Sequence, residues 1–282
     1  GFVHFIKPQN WPIFAPYFSK VKPLTQAPLK ITILGSGTSQ GVPVIGCECK
    51  VCTSADPRDQ RLRVAILISQ EGVNIAVDTG PDFRQQMLRA GVKNLDAVLL
   101  THEHNDHIIG LDDVRPFNFM QWKKMPVFAT PEVQAQVRKR FAYVFEKNPY
   151  PGAPMLELRT ISKAADFQVG GINITPVEVL HGNLPVMGFR VGDFTYLTDV
   201  KTIAEDQKQK ARHSKVLVLN ALHHNVHHSH LNLQEALAMI EDLAPQQAYL
   251  THMSHRMGLH GEVSRMLPEN VALAYDGLEI LV

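Results

Sequence analysis

The sequence predicts one α/β domain in which sheets and helices are stacked in layers. Short β-rich segments recur along the chain, and most are bounded by Gly, Pro, Asn or Asp. Amphipathic helical segments lie between several of them, and no segment repeats or has low complexity. These observations together favour a single layered domain.

The β-rich segments open with ITILG at residue 31 and close with VALAYD at residue 271. Those between them start at residues 63, 73, 96, 172, 194, 215 and 247. Helical patterns cover residues 81–90, 131–146, 202–212 and 231–243. The last of these has an apolar stripe, and Asn232 is placed to cap its first turn. The proline-containing segment KNPYPGAP, residues 147–154, predicts a long loop.

Composition and charge limit the possible functions. A chain of 282 residues with 45% hydrophobic and 20% charged residues has ordinary globular composition, which excludes a disordered or collagen-like protein. The formal charge of +1 gives no general attraction to nucleic acid or to an acidic membrane. No apolar run approaches the ~18 residues of a transmembrane helix. We therefore expect no membrane partner and regard nucleic acid as a disfavoured ligand.

The first 28 residues differ from the domain that we expect over residues 29–282. They contain aromatic residues interrupted by prolines, without the continuous apolar segment and small-residue cleavage site of a secretory signal. We interpret residues 1–28 as an arm whose aromatic side chains pack on the domain or on a partner subunit, which allows a homodimer. An unstructured tail is the alternative. The absence of an export signal, together with thiols suited to metal, favours a reducing cytoplasm.

All three cysteines, Cys47, Cys49 and Cys52, lie in the segment GCECKVC. A disulfide is a poor explanation, because three is an odd number, the spacing is tight and a chain of this length needs no covalent staple. Thiolates suit zinc, and a structural zinc takes four ligands, so three sulfurs require one further ligand, most often a histidine. The alternative is a set of unpaired thiols on a turn.

The segment LLTHEHNDHIIG contains four ligand-type side chains at the end of a predicted hydrophobic strand. They are His102, His104, Asp106 and His107. The two-residue period of a strand directs residues 102 and 104 to one face, while residues 106 and 107 begin a helical turn and reach a neighbouring position. This spacing can serve two metal ions, with His102 and His104 on one ion and Asp106 and His107 on the other.

Three further ligand-type residues, His181, Asp199 and His252, each follow a predicted strand. Because α/β proteins present functional groups at strand ends, we expect these residues and the four above to form one dinuclear site. Asp199 would bridge the two cations. The residual positive charge would attract an anionic substrate and lower the pKa of a bridging water.

Two other features belong near these strand ends. Asp78 ends a strand but matches no ligand position, so we expect it to hold a ligand histidine by that ring's other nitrogen. The segment GSGTSQG, residues 35–41, lacks the GxGxxG spacing of a dinucleotide site and predicts a tight loop near the metals.

These motifs and their order resemble the metallo-β-lactamase superfamily, in which HxHxDH is followed by a later His, a bridging Asp and a final His. The segments GTSQGVPVIGCECKVC and LTHMSH are similar to those of the PhnP-like phosphodiesterases of the carbon–phosphorus lyase pathway. The resemblance runs from about residue 30 to the C-terminus. It implies an αββα sandwich that hydrolyses small or cyclic phosphodiesters through a hydroxide bound to two zinc or manganese ions.

The resemblance also implies roles for two histidines. In THMSH, His255 would be the fourth ligand of a structural zinc held by the three cysteines, with His260 as the alternative. Related phosphodiesterases and tRNA-processing nucleases place a histidine just before a helix, where it protonates the leaving oxygen. Of the five histidines within residues 223–230, His230 matches best and His223 is the alternative. We place His230 and Asp106 in the catalytic set. The remaining histidines of this segment fit a polar loop or a third metal site.

Three other functions stay open on the sequence. A tRNA 3′-end nuclease shares the site but needs a long basic arm, and the chain has no Gly-rich, Lys/Arg-rich insertion. A thioester or lactone hydrolase would carry the same metal motif. A non-catalytic accessory protein of quinone-cofactor biosynthesis has a similar Cys loop.

Overall fold

Two seven-stranded sheets pack face to face in the computed structural model, which describes residues 27–282. Helices cover both outer faces, so the predicted αββα sandwich is confirmed. The arm predicted for residues 1–28 lies outside the described residues except for its last two. None of the helices in the described part of the chain has the length and apolar character needed to span a bilayer.

The first sheet has the strand order β14-β1-β2-β3-β4-β5-β6. Its strands are β1 (Lys30–Gly35), β2 (Ala65–Gln70), β3 (Val73–Val77), β4 (Ala97–Leu99), β5 (Met125–Ala129), β6 (Leu156–Thr160) and β14 (Glu279–Leu281). The second sheet has the order β13-β12-β11-β10-β9-β8-β7. Its strands are β7 (Phe167–Val169), β8 (Ile172–His181), β9 (Leu184–Val191), β10 (Phe194–Leu197), β11 (Val216–Asn220), β12 (Gln247–Thr251) and β13 (Val271–Leu273).

Seven α-helices connect or cover these strands within residues 27–282. They are α1 (Phe83–Arg89), α2 (Asn105–Ile108), α3 (Arg115–Gln121), α4 (Pro131–Arg140), α5 (Glu205–Ala211), α6 (Leu233–Leu243) and α7 (His260–Ser264).

Each sheet is antiparallel in one half and parallel in the other. Strands β1, β2 and β3 pair antiparallel, whereas β3 to β6 pair parallel. In the second sheet β7 to β10 pair antiparallel and β10 to β13 pair parallel. The two parallel halves bring the carboxyl ends of β4, β10 and β12 to one edge of the sandwich, where groups at strand ends can meet.

Alternation along the strands creates three apolar layers. Ile31 and Ile33 of one sheet pack with residues such as Phe189 and Tyr196 of the other in the core between the sheets. The outward-facing residues of the first sheet pack against α1, α3 and α4, and those of the second sheet against α6 and α7. Successive residues of a strand point to opposite faces of its sheet, and both faces of each sheet are covered, so both sets of residues pack in an apolar layer.

The structure confirms every predicted β-rich segment and extends the list. Strands β5 and β9 are among those that were not predicted. Strand β5 contains Pro126, a residue that is unfavourable in a strand, and β9 follows β8 directly through a tight turn at Gly182 (φ 62°). The helical pattern predicted over 131–146 forms two pieces, helix α4 up to Arg140 and a 3₁₀ helix over Ala142–Phe145. The cap predicted for Asn232 is confirmed, since its side chain accepts from the N–H of Glu235 in a full capping box.

Candidate active site

Ligand-type residues from both sheets meet at one edge of the sandwich. His102 follows β4, His181 is the last residue of β8, Asp199 follows β10 and His252 follows β12. Short helix α2 then carries Asp106 and His107. His102 and His107 are fully buried, and Asp199 and His252 are nearly so. The convergence predicted from strand ends is therefore present.

The histidine rings lie close enough to share ions. The ring centroid of His102 is 4.1 Å from that of His107 and 4.5 Å from that of His104. The ring of His104 is 5.3 Å from that of His181. One face of this group thus contains His102, His104 and His181, and His107 adjoins it on the other side.

Asp199 occupies the middle of the group. Its Oδ2 lies 3.4 Å from Nε2 of His107, and its Oδ1 lies 3.2 Å from Nε2 of His252. Side-chain donor atoms within 4.8 Å of one another form three sets: His102, His107 and Asp199; Asp106, His107 and His252; and His181, Asp199 and His230. Because Asp199 belongs to two sets and contacts a residue of the third, it has the position that a bridging carboxylate requires.

Three residues at strand ends hold a strained backbone. Asp78 (φ 66°), Asp199 (φ 56°) and His252 (φ 58°) adopt the left-handed conformation within two residues of the ends of β3, β10 and β12. This region costs a non-glycine residue on the order of 1–2 kcal/mol, and such outliers concentrate at functional sites. Here the conformation turns each side chain out of its strand toward the same edge.

Buried imidazole nitrogens without hydrogen-bond partners show that the site fits metal ions. Within the described residues, Nε2 of His102, Nε2 of His107 and both ring nitrogens of His252 are buried and make no hydrogen bond. Each buried nitrogen left without a partner lowers the stability of the folded protein by about 1–3 kcal/mol, unless it coordinates an ion. Imidazole and carboxylate donors in one cluster suit zinc or manganese.

The charges of the cluster also favour cations. Burial opposes ionisation of Asp199, but His252 and His107 hold its pKa well below the ordinary value. Burial likewise opposes a charge on His107, yet Asp199 and Asp78 raise its pKa well above the ordinary value. The same carboxylates would stabilise a metal cation at Nε2 of His107 in place of a proton.

Further contacts fix the orientation of the imidazoles. Nδ1 of His107 donates to Oδ2 of Asp78 at 2.7 Å, and the Thr101 hydroxyl donates to the same carboxylate at 2.9 Å. The contact predicted for Asp78 is therefore present. Nδ1 of His181 donates to the carbonyl oxygen of Ser229 at 2.8 Å. Both contacts leave the Nε2 lone pair directed away from the donated hydrogen bond and free for a cation.

His230 lies at the edge of the cluster, just before helix α6. Its ring centroid is 4.4 Å from that of His181 and 4.7 Å from that of His252, and its Nδ1 is 3.8 Å from Oδ1 of Asp199. Burial, followed by the nearby His252, lowers the pKa of His230 to about 2. The structure thus places His230 beside the candidate metal ligands, where a group bound between them would contact it.

The other histidines of this loop have separate environments. His224 donates from Nε2 to the carbonyl of Met257 at 2.8 Å. The ring centroids of His227 and His228 are 4.4 Å apart with the rings tilted by 36°, and the centroid of His227 is 5.2 Å from that of His230. No set of three donor atoms within 4.8 Å joins His223, His227 and His228 in the described chain. A third metal site in this loop therefore has no geometric support.

The three cysteines converge on one histidine. Sγ of Cys47, Cys49 and Cys52 lies 3.3, 3.4 and 3.5 Å from Nδ1 of His255. These four side chains form a set that could hold one ion. The pKa of Cys49 is lowered to about 6, chiefly because its sulfur accepts a hydrogen bond from the backbone N–H of Cys52. A thiolate is therefore available at neutral pH. His260 is not in this set, and the structure therefore favours His255.

The GSGTSQG loop connects the two candidate metal sites. A Cβ on Gly35 would lie 2.0 Å from the carbonyl oxygen of Arg63, so its glycine serves close packing. Thr38 N–H donates to the carbonyl of Met253, and Met253 N–H donates to the carbonyl of Ser36. The predicted tight loop is confirmed, and it pairs with the segment between His252 and His255.

Sequence reasoning missed Arg61. Its side chain is fully buried, and it donates to the carbonyl oxygens of Ser254 (3.0 Å) and Gly258 (3.2 Å). It thereby connects the segment just before β2 to the loop that carries both candidate ligand histidines. No local pattern marks such a residue, because its partners are about 190 residues away along the chain.

Comparisons with known proteins agree with this geometry. The profile of the beta-lactamase superfamily domain matches residues 73–253. The fold and the strand-end cluster thus define a member of the metallo-β-lactamase superfamily. The structure superposes with a TM-score of 0.85 on a crystal structure described as a new diphosphatase from the PhnP family, with 37% identity over 91% of this chain and 98% of that one. The chain belongs to the PhnP family within this superfamily.

Other relatives have different descriptions. An octanoyltransferase of Porphyromonas gingivalis is 41% identical over 256 residues, which are 90% of this chain and 52% of that protein. Zn²⁺-bound PqqB from Methylobacterium extorquens superposes with a TM-score of 0.73 at 19% identity, over 89% of this chain and 99% of that one, which shows the fold alone. The chain spans about half the length of the curated relatives it matches.

Proposed function

We propose that this protein is a metal-dependent hydrolase that cleaves small phosphodiesters. The observation that carries the proposal is the convergence of seven His and Asp side chains from both sheets, with buried imidazole nitrogens that have no partner within residues 27–282. Similarity to a PhnP-family diphosphatase supports phosphorus as the centre attacked. The same set was expected from the sequence as one dinuclear site.

We propose that the ligands divide between two ions. His102, His104 and His181 would hold one ion, and Asp106, His107 and His252 would hold the other, with Asp199 between them. When bound, two divalent cations would lower the pKa of a water molecule and neutralise charge on the phosphoryl oxygens. The cysteine set with His255 has thiolate donors and would hold a separate structural zinc.

The chain's own residues prepare this centre. Asp78 and the Ser229 carbonyl fix the tautomers of His107 and His181, so that each presents a lone pair from Nε2. His230 would donate a proton to the leaving oxygen. Its ring adjoins those of His181 and His252, so a group bound between the candidate ligands would lie within its reach.

The space beside the cluster fits a small substrate. A cavity of about 520 Å³ is lined by His104, His181, Asn183 and Lys201. Cavities of about 300–1,000 Å³ are typical for small-molecule ligands. Lys201 is paired with Glu235 at 2.8 Å, so its charge is compensated. This cavity therefore suits a neutral polar substituent of the diester.

A second candidate function is hydrolysis of an acyl thioester or lactone. The relative described as an octanoyltransferase favours this candidate, because the name denotes transfer of an acyl group. The chemistry needed from the site is the same activation of water, with a carbonyl in place of phosphorus.

One panel of substrates separates these functions. Purified protein is assayed on bis(p-nitrophenyl) phosphate, a 2′,3′-cyclic nucleotide, an acyl thioester and a lactone, each with and without manganese. The proposal predicts metal-dependent turnover of the two phosphodiesters. Turnover of the thioester or lactone alone would support the second candidate and contradict the first, and Asp199→Ala is the control for contaminating activity.

A further inference from the structure

The thiols of the cysteine loop are accessible from solvent. Cys47, Cys49 and Cys52 are each half-buried, and the intervening Glu48 and Lys50 are exposed. They are also the only cysteines of the chain. A small oxidant can therefore reach sulfur here without opening the core, and no other thiol of the chain competes for it.

Two of these thiols lie on one turn. The N–H of Thr53 donates to the carbonyl oxygen of Cys49 at 3.1 Å, which closes a helical turn over residues 49–53. Cys49 and Cys52 are three residues apart on this turn, which sets their Cα atoms about 5 Å apart, within the ~4.4–6.8 Å span of disulfides. Their sulfurs also lie within 4.8 Å of each other. Side-chain rotation can therefore join this pair, whereas Cys47 lies outside the turn.

The same sulfurs anchor the segment that carries two candidate ligand histidines. Sγ of each cysteine lies within 3.5 Å of Nδ1 of His255. His255 comes three residues after His252. His252 has a left-handed backbone (φ 58°), a conformation that persists only where the surrounding structure holds it. A change at the sulfurs is therefore transmitted to His252 through a very short segment.

Other contacts of this segment limit the size of the effect. Met253 pairs with the loop after β1, because its N–H donates to the Ser36 carbonyl at 2.9 Å and its carbonyl accepts from the N–H of Thr38 at 3.1 Å. Arg61 donates to the Ser254 carbonyl at 3.0 Å. These bonds do not involve sulfur, so loss of the sulfur anchor should weaken His252 as a ligand and leave the fold intact.

We infer that Cys49 and Cys52 form an oxidative modification site for a hydroperoxide, and that their oxidation weakens ion binding at His252. One sulfur attacks a peroxide oxygen, the O–O bond breaks, and a sulfenic acid forms together with an alcohol, or with water from hydrogen peroxide. The second sulfur then attacks the sulfenic sulfur, and hydroxide leaves with the thiol proton as water. The two sulfurs are thus oxidised by two electrons, and the peroxide is reduced. With two of its four donors joined to each other, the cysteine set no longer retains an ion.

The coupling rests on the two proposed metal sites and not on the substrate. Ion binding is therefore measured in the absence of substrate. A protein that hydrolyses no phosphodiester would contradict the proposed function, while its response to peroxide would still decide whether the modification site exists.

The test treats protein loaded with zinc and manganese with hydrogen peroxide. Mass spectrometry of non-reduced peptides should find Cys49 joined to Cys52, and a chromogenic chelator should detect release of about one zinc per chain. Electron paramagnetic resonance should show the manganese Kd of the weaker-bound ion raised about 10-fold, the low end of the range for loss of a support behind a ligand. Excess manganese should still fill the site, and dithiothreitol with zinc should restore the original Kd.

Two variants separate the disulfide from other effects of peroxide. Cys47→Ser keeps the pair on the turn and should still form the bond between Cys49 and Cys52. Cys52→Ser should have the weakened manganese affinity from the start and show no further change with peroxide, which also controls for oxidation of methionine.

Three results would overturn the inference. Peroxide that yields only sulfinic acids, or a disulfide between two chains, would contradict the modification site. Zinc release with an unchanged manganese Kd would contradict the coupling to His252. A rise in Kd that is accompanied by loss of the circular dichroism spectrum, or that peroxide also causes in Cys52→Ser, would show general oxidative damage instead.

Discussion

Replacing the buried Arg61 with Met should destabilise the protein and loosen the loop that carries His252 and His255. The guanidinium has 0% side-chain exposure and Asp59, 3.5 Å away, has 2%. In the variant the Asp59 carboxylate would keep its hydrogen bonds from His260 N–H and the Ser54 hydroxyl but lose its cation. The carbonyl oxygen of Gly258 would lose the Arg61 donor, and that of Ser254 would keep only the N–H of Met257.

The expected cost follows from these contacts. Breaking a buried ion pair by removing one partner typically costs about 3–5 kcal/mol. For a domain of this size, each kcal/mol lowers Tm by about 2–4 °C, so the total shift is roughly 6–20 °C. Met keeps most of the side-chain volume, which separates the electrostatic loss from a cavity. The assay is thermal unfolding followed by circular dichroism, with and without added zinc.

The control is Arg58→Met on the neighbouring 3₁₀ turn. Arg58 pairs with Asp56 at 2.7 Å, but the pair is exposed, so its loss should change Tm little. Adding Asp59→Asn to Arg61→Met should recover part of the lost stability by removing the uncompensated charge. The reasoning is refuted if Arg61→Met lowers Tm no more than Arg58→Met does.

The remaining predictions concern the dinuclear site. Asp199→Ala should cost more phosphodiesterase activity than Ala at any single terminal histidine, because both ions lose a ligand, while circular dichroism shows an intact fold; near-normal activity with both ions bound would refute the bridging role. His230→Ala should keep full metal content and slow turnover of an alkyl diester by roughly 10²–10⁴. The loss should be much smaller on bis(p-nitrophenyl) phosphate, since p-nitrophenolate leaves without a proton. An equal loss on both substrates would show that His230 is not the general acid, which would leave His223 or no histidine in that role.

Much of the candidate site could be predicted because its signals are local. A hydrophobic strand followed directly by His or Asp is visible in a few residues, as at His181 and His252. The cap at Asn232 and the contact of Asp78 with a ligand histidine depend on similarly short patterns. Their convergence then follows from the general rule that parallel strands end at one edge of a sheet.

What the sequence did not indicate depends on contacts between distant segments. Strands β7 and β14 have three residues each, and they exist because longer neighbours pair with them. Arg61 would pass for an exposed cation until the fold surrounds it with carbonyl oxygens. A cavity of about 300 Å³, lined by Thr38, His223 and Arg256 among others, combines three loops that are far apart in sequence, so no single motif could reveal it.

The most direct test of two chemically distinct metal centres is metal content by mass spectrometry before and after mild chelation. Protein produced in manganese-rich medium should hold about one zinc per chain that resists chelation, because thiolates favour zinc, together with two exchangeable ions. Cys49→Ser should remove the retained zinc and leave the exchangeable pair. Finding no zinc, or losing every ion together under mild chelation, would contradict the account.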